Sequence, residues 1–317
     1  MKKVIYKKID LFLKDINICI NILTMSQQYN CVQIIDDSDD ESEPSKGKDK
    51  EEVIVIEPLK KARKPRVKKS EILFVEEDTI ISKAPICLLK KYMHEQCFME
   101  IGADEAGRGP MLGRVYSGAV ILPKDDSFDH FKMKDSKKFT SKSPKKIQEV
   151  AEYIKEHAIC WAVEYEDERV IDEINILQAT QSAMHKAIKS VIRQLGSKES
   201  EVGLDPNFNN LLLLIDGNYF KQLTILNKGK TKLVTINYET VEGGDNKFTS
   251  IAAASILAKV ERDKYIEALC KENPELIERY GIDSNKGYGS KKHMDGIKTY
   301  GITKWHRRTF GICKTFV

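Results

Sequence analysis

No stretch of this 317-residue chain approaches the roughly 18 consecutive apolar residues that a membrane-spanning helix needs. An uninterrupted apolar core of the secretory type is missing as well: Asp10, Lys14, Asp15 and Asn17 interrupt residues 1 to 24. That segment has no arginine, and its aspartates weigh against an organelle transit peptide. No cysteines form a Cys-x-x-Cys pair. The seven present (Cys19, Cys31, Cys87, Cys97, Cys160, Cys270, Cys313) are odd in number and scattered, which indicates neither a disulfide framework nor a zinc site. Reduced thiols in a cytosolic or nuclear compartment are the plain reading. Repeats of solenoid period are absent. Neither sign of charge dominates: 52 Lys and Arg against 48 Asp and Glu leave a net charge of +4. Such a balance permits a nucleic-acid partner without demanding one.

What is present begins with 41% hydrophobic residues, enough for a sizeable core in one large domain or two small ones. Residues 1 to 84 read as a disordered, charged N-terminal extension. Asp36 to Glu43 is acidic and serine-rich, and Lys60 to Lys69 is basic. Dense like charge with little apolar surface cannot offset the entropy of ordering. The basic run is either a nuclear localisation signal, a nonspecific nucleic-acid contact or a solubilising tail. Cys31 to Ile35 and Val53 to Ile56 are apolar patches able to add to a partner's sheet edge. Met25 is an alternative start.

Order is expected from about Pro85, with a short helix through Leu88, Leu89, Tyr92 and Phe98. Strands are predicted at Met99 to Asp104, Val115 to Leu122 and Ala158 to Tyr165, forming an antiparallel meander. A helix is expected from Ser143 to Glu156. Ile174, Leu177, Met184, Ile188, Val191 and Leu195 recur at helical spacing as one apolar stripe. Leu211 to Ile215 reads as a buried strand ending at Asp216, and Val234 to Val241 as a strand ending near Asp245. Thr249 to Cys270 reads as a long Ala-rich helix, with Arg262 toward its outer end. Together these give an α/β fold around a mixed sheet.

Chemistry concentrates at Asp104 and Glu105, followed at once by Gly107, Arg108 and Gly109. Glycines let a loop expose its N–H groups to an anion, and arginine adds a planar, permanently charged fork. An Asp-Glu pair before such a turn is more often a solvated loop. Asp216 and Asp245 change the balance, because strand ends in an open α/β sheet line up along one edge. Adjacent Asp104 and Glu105 point to opposite faces of a regular strand, so both serve one site only where the backbone bends. Like charges at about 4 Å repel by on the order of 4 kcal/mol at an effective dielectric of 20. Such a cluster calls for cations. Oxygen ligands without His or Cys select Mg²⁺ or Mn²⁺.

Ile101 to Pro110, Asp135 to Lys138, Ile174 to Thr180, Ile215 to Asn218, Gly244-Asp245, Ser250 to Arg262, Lys286 to Tyr288 and His306 to Gly311 occur in that order. This set resembles ribonuclease HII, the type 2 ribonuclease H family, in its bacterial form, over residues 97 to 315. The resemblance implies a ribonuclease H-like mixed five-stranded sheet flanked by helices, with a helical C-terminal extension, across a catalytic domain at 85–317. It also implies cleavage of RNA in RNA–DNA hybrids and incision 5′ to ribonucleotides embedded in duplex DNA. Two metal ions would act, leaving 3′-hydroxyl and 5′-phosphate ends. Asp104, Glu105, Asp216 and Asp245 correspond to the catalytic, metal-binding carboxylates. Gly107, Arg108 and Gly109 resemble the loop that senses the ribose 2′-OH, and Tyr288 the tyrosine that stacks on the sugar.

Ser136, Lys137, Lys138, Asn175, Gln178, Lys259 and Arg262 form a secondary set of candidate phosphate donors. Ser255 reads as a packing residue, and Trp305, His306 and Arg307 as a brace for the C-terminal end. Arg114 and Met111 depart from the family's usual proline and leucine. The expected partners are RNA–DNA hybrid and ribonucleotide-containing duplex, with no membrane, met by a monomer in cytoplasm or nucleus. The N-terminal extension is expected to bind a protein or nucleic acid. A junction resolvase or integrase of similar fold, and a hybrid-binding protein without turnover, are the competing readings.

Overall fold

A computed structural model describes residues 89–94, 99–134, 136, 144–201, 210–226 and 232–316. The acidic and basic runs, both apolar patches and Met25 lie outside the described residues. β1 (Met99–Ala106), β2 (Val115–Ile121) and β3 (Cys160–Glu166) form the expected antiparallel meander. β4 (Leu211–Asp216) joins β1 in parallel, and β7 (Asn237–Val241) joins β4 in parallel. The mixed five-stranded sheet runs β3-β2-β1-β4-β7. Two short strands, β5 (Thr224–Leu226) and β6 (Leu233–Thr235), pair separately. Val234 to Val241 is therefore not one strand. Ile236 is fully buried between two differently paired pieces, with its N–H donated to Leu223.

Helices cover both faces. α1 (Pro144–His157) and α3 (Thr249–Glu272) pack one side, and α2 (Glu168–Glu201) the other. The pleat divides β1 between them: Ile101 and Ala103 join the core under α2, and Gly102 faces α3. Sequence chemistry sets the close approach of α3. A Cβ on Gly102 or Gly118 would collide with the helix backbone at Ser250 or Ala254. Ala252, Ala253 and Ala254 add little bulk on the helix side, so α3 lies directly against the sheet. Beyond it, α4 (Glu275–Tyr280), α5 (Ile282–Asn285) and α6 (Lys291–Tyr300) close a second cluster around Leu112, Ile266, Tyr280 and Ile297.

Two helical expectations need correction. Residues 89–94 are not helical; Lys90 instead bridges to Phe248. The apolar stripe does not run unbroken through α2, because Ile174 and Leu177 are exposed. Asn175 between them takes φ 68° and ψ 163°, splitting α2 into two helical segments and shifting their phase. Its side-chain oxygen accepts from the Gln178 N–H, starting the second segment as an N-cap. No described helix is long and apolar enough to cross a membrane. Cys160, Cys270 and Cys313 are buried free thiols.

Candidate active site

Three neighbouring strands of the sheet bring acids to one edge. Ala103 of β1 pairs with Ile215 of β4, so Asp104 and Asp216 follow side by side. Ala103 and Ile215 share the core under α2, and the pleat sends Asp104 and Asp216 toward α3. β7 ends at Val241, and the one-turn helix Gly244–Asn246 then carries buried Asp245 into α3. The Gly244 N–H donates to Asp216 Oδ1 at 2.6 Å, tying the second acid to the turn that carries the third. Strand pairing continues through Ala106, so the bend lies beyond the carboxylate pair, at Gly107 with φ +94°. Glu105 thus leaves the opposite face of β1 from Asp104.

Each acid is held by a local donor. Asp104 Oδ1 accepts the Glu105 N–H at 2.6 Å, Glu105 meets Arg108 Nη1 at 3.2 Å, and Asp245 Oδ1 accepts from Asn246 at 3.0 Å. Among the described residues no three of these groups are close enough to hold one ion. Burial first, then the charges of Glu105 and Asp216, push the Asp104 carboxyl well above the usual carboxylate range. A buried carboxylate with insufficient positive compensation, in an all-oxygen donor set, fits a hard divalent cation.

Asp104 is also tied into a line of hydroxyls. Ser255 of α3 faces Asp104 and works against the upward push of burial on its carboxyl, and the Ser255 Oγ lies 3.1 Å from Ser136 Oγ. Both serines are buried. Ser136, a candidate phosphate donor, is thus buried against Ser255, and Ser255 has a polar neighbour besides its packing role. Small size explains Ser255 in an Ala-rich sequence equally well, so nothing in the spacing announced its hydroxyl.

The glycine loop is built from below by two arginines. Arg262 is buried, not at an outer end; its Nη2 donates to Lys286 O at 2.8 Å, and it packs under Gly107. Arg307, fully buried, donates to the carbonyls of Gly107, Arg108, Gly113 and Arg114 at 2.6–3.1 Å. Burial pushes its pKa down to about 9, and it stays charged at neutral pH. A carbonyl-only shell suits the guanidinium, whose donors fan out in one plane. The sequence reading made Arg307 a brace for the C-terminal end; in the structure it also binds the carbonyls of the glycine loop.

Tyr288 reaches the same loop from the far side. Its half-exposed ring lies where a Cβ on Gly109 would touch Cε1 at 3.4 Å. The Arg262 guanidinium stands 5.8 Å from the ring centre. The remaining candidates are less central. Lys259 pairs with Asp263 on the surface of α3 at 3.0 Å, and Asn175 spends its side chain on the helix cap. Gln178 is partly buried one turn later. Lys137 and Lys138 lie outside the described residues.

Comparison with known proteins gives the family. The family model described as ribonuclease HII matches residues 101–313. A ribonuclease HII of Chlorobium luteolum is 40% identical over 230 residues, covering 71% of this chain and 95% of that protein. One from Cytophaga hutchinsonii is 42% identical over 217 residues, covering 68% and 91%. The crystal structure of ribonuclease H2 from Pyrococcus horikoshii OT3 superposes with TM-score 0.49 at 22% identity, covering 68% of this chain and 96% of that one. This chain belongs to the ribonuclease HII family of metal-dependent endoribonucleases.

Proposed function

We propose that this protein degrades the RNA strand of RNA–DNA hybrids and incises 5′ to ribonucleotides embedded in duplex DNA, leaving 3′-hydroxyl and 5′-phosphate ends. The observation that carries the reading is the level placement of Asp104 and Asp216 on adjacent parallel strands, with Asp245 one turn away. Asp104, Asp216 and Asp245 would hold Mg²⁺ or Mn²⁺ on the α3 side of the strand ends, and Glu105 would join them at the rim, where the chain turns at Gly107. When bound at such carboxylates, two divalent cations supply a hydroxide nucleophile near neutral pH and stabilise the leaving 3′ oxygen.

The chain's own groups do the selecting. The Gly107–Gly109 loop offers backbone N–H groups at its turn, and Arg108 sits half-exposed beside Glu105 for a phosphate. Tyr288 presents an apolar ring to the sugar, and the 2′-OH is the group that separates RNA from DNA there. Ser255 and Ser136 keep the Asp104 carboxyl oriented. Residues 1–84 would supply location or partner contacts. The test is a duplex carrying one ribonucleotide, offered with Mg²⁺ or Mn²⁺ and with product ends mapped. Wild type should cut once, 5′ to the ribonucleotide, and leave an all-DNA duplex intact. Cutting of the all-DNA duplex would favour a resolvase-like nuclease. An Asp216→Asn variant that cuts as fast as wild type would overturn the metal assignment.

A further inference from the structure

His293 and His306 are both buried, with Nε2 atoms 3.1 Å apart. Their outer nitrogens fix every proton in the pair. The Thr303 backbone N–H donates to His306 Nδ1 at 2.9 Å, so that nitrogen carries a lone pair. His293 Nδ1 lies 2.8 Å from the Tyr288 carbonyl oxygen, which can only accept, so that nitrogen carries a proton. A neutral imidazole has one donor and one acceptor. His306 Nε2–H must then donate to His293 Nε2. The result is a one-way line from Thr303 through both rings to Tyr288.

We propose that His293 and His306 are positioning residues that act as a neutral relay, locking the Tyr288 backbone so that its ring faces the ribose. The proposal depends on the reading of Tyr288 given above. Tyr288 needs such a hold: its ring is half-exposed, and its neighbours Lys286 and Gly287 both have positive φ. The Tyr288 carbonyl also accepts the Ser290 N–H at 2.8 Å, so two donors clamp one oxygen. Leu112 bridges to His306 across the base of the glycine loop, and the next residue, Arg307, grips that loop's carbonyls. Two consecutive residues thereby anchor both halves of the ribose-reading surface.

A proton added to either ring breaks the line: on His293 it sets two N–H groups against each other across the central contact, and on His306 it sets an Nδ1–H against the Thr303 N–H. The titratable groups against the pair are each other and Tyr280, whose ring is edge-on to both. Burial lowers both histidine pKa values, and His306 goes down to about 3. The relay is neutral throughout the range where the enzyme would work.

Two substitutions at one position separate this idea from simple filling of space. His293→Asn places an amide N–H where Nδ1–H lies: it keeps the last link of the line, the donor to Tyr288, and gives up the acceptor for His306. His293→Gln keeps an acceptor toward His306 and loses that donor, although it fills more of the cavity. Both are compared with wild type on the single-ribonucleotide duplex. Gln should lower kcat by on the order of tenfold to a hundredfold, the scale of a misplaced contact, while Asn stays within about threefold of wild type. A role in packing alone reverses the order, and equal variants also overturn the relay. If wild type itself fails to cut, the functional reading fails, and the relay is still read from the protection of the Ser290 and Thr303 amides in hydrogen exchange. There the Ser290 amide should open faster in Gln than in Asn.

Discussion

The guanidinium of Arg262 fills the space that a Cβ on Gly107 would occupy. The loop and α3 are thus fitted to each other at one position. Gly107→Ala meets two obstacles, the φ of +94° and a buried side chain with little room to move. Strain of that kind costs on the order of 1–3 kcal/mol. The variant should lose cleavage by at least tenfold with a modest drop in Tm. Cleavage kinetics and thermal melting on one preparation check it; unchanged kinetics would separate the loop from the reaction.

Asp104 costs the metal-free fold stability. Its carboxylate is buried beside Glu105 and Asp216, and neutralising it relieves both repulsions. Asp104→Asn keeps an oxygen for the Glu105 N–H. Without metal the variant should be more stable by about 1 kcal/mol, or about 2–4 °C in Tm for a folded unit of this size. Added Mg²⁺ or Mn²⁺ should raise the wild-type Tm and leave the variant's unchanged. Cleavage should vanish. Melting with and without the cation reads both effects, and a lower Tm for the variant would contradict the repulsion argument.

Arg307→Met removes hydrogen bonds to the carbonyls of Gly107, Arg108, Gly113 and Arg114. Buried acceptors left unmet cost about 1–3 kcal/mol each, so destabilisation by at least ~3 kcal/mol is expected. Denaturant titration measures it. Arg307→Lys should recover only a small part, because an ammonium cannot span the same spread of oxygens.

Acid should unfold the protein partly through His306. Its ring takes a proton near pH 6.5 when unfolded and near about 3 in the fold. Between those values the unfolded chain binds more protons, so stability rises with pH and falls as acid is added. His306→Gln removes that contribution and should flatten the curve of Tm against pH between about 4 and 6.5. Asp104 acts in the opposite sense. Its raised pKa makes the fold the better proton binder above 3.8, so its share of stability declines as pH rises. A variant curve as steep as wild type would assign the acid sensitivity elsewhere.

The sheet, and the placing of Asp104 and Asp216 at its strand ends, could be read from the sequence because hydrophobic runs and chain order carry them directly. Asp104 and Asp216 each end an apolar strand, and parallel pairing levels those ends, whereas Asp245 follows a turn after the mostly exposed strand Asn237–Val241. Partner-dependent features stayed hidden. Arg262 lies in a charged helical stretch, yet Gly107 from a remote strand leaves room beneath it. Ile174 and Leu177 fit a helical period that the backbone at Asn175 interrupts. Ser136 and Ser255 look like a loop residue and a spacer until Asp104 is set beside them. The His293–His306 contact depends on a fold that periodicity does not encode.

The grip of Arg307 on Gly107 joins positions two hundred residues apart. During synthesis β1 and its acids emerge long before the side chain that braces their loop. A growing chain would therefore carry Asp104 and Glu105 before the side chain that braces the glycine loop beside them. Competence for selective cutting would arrive late and all at once, when the segment from Thr303 to Arg307 docks.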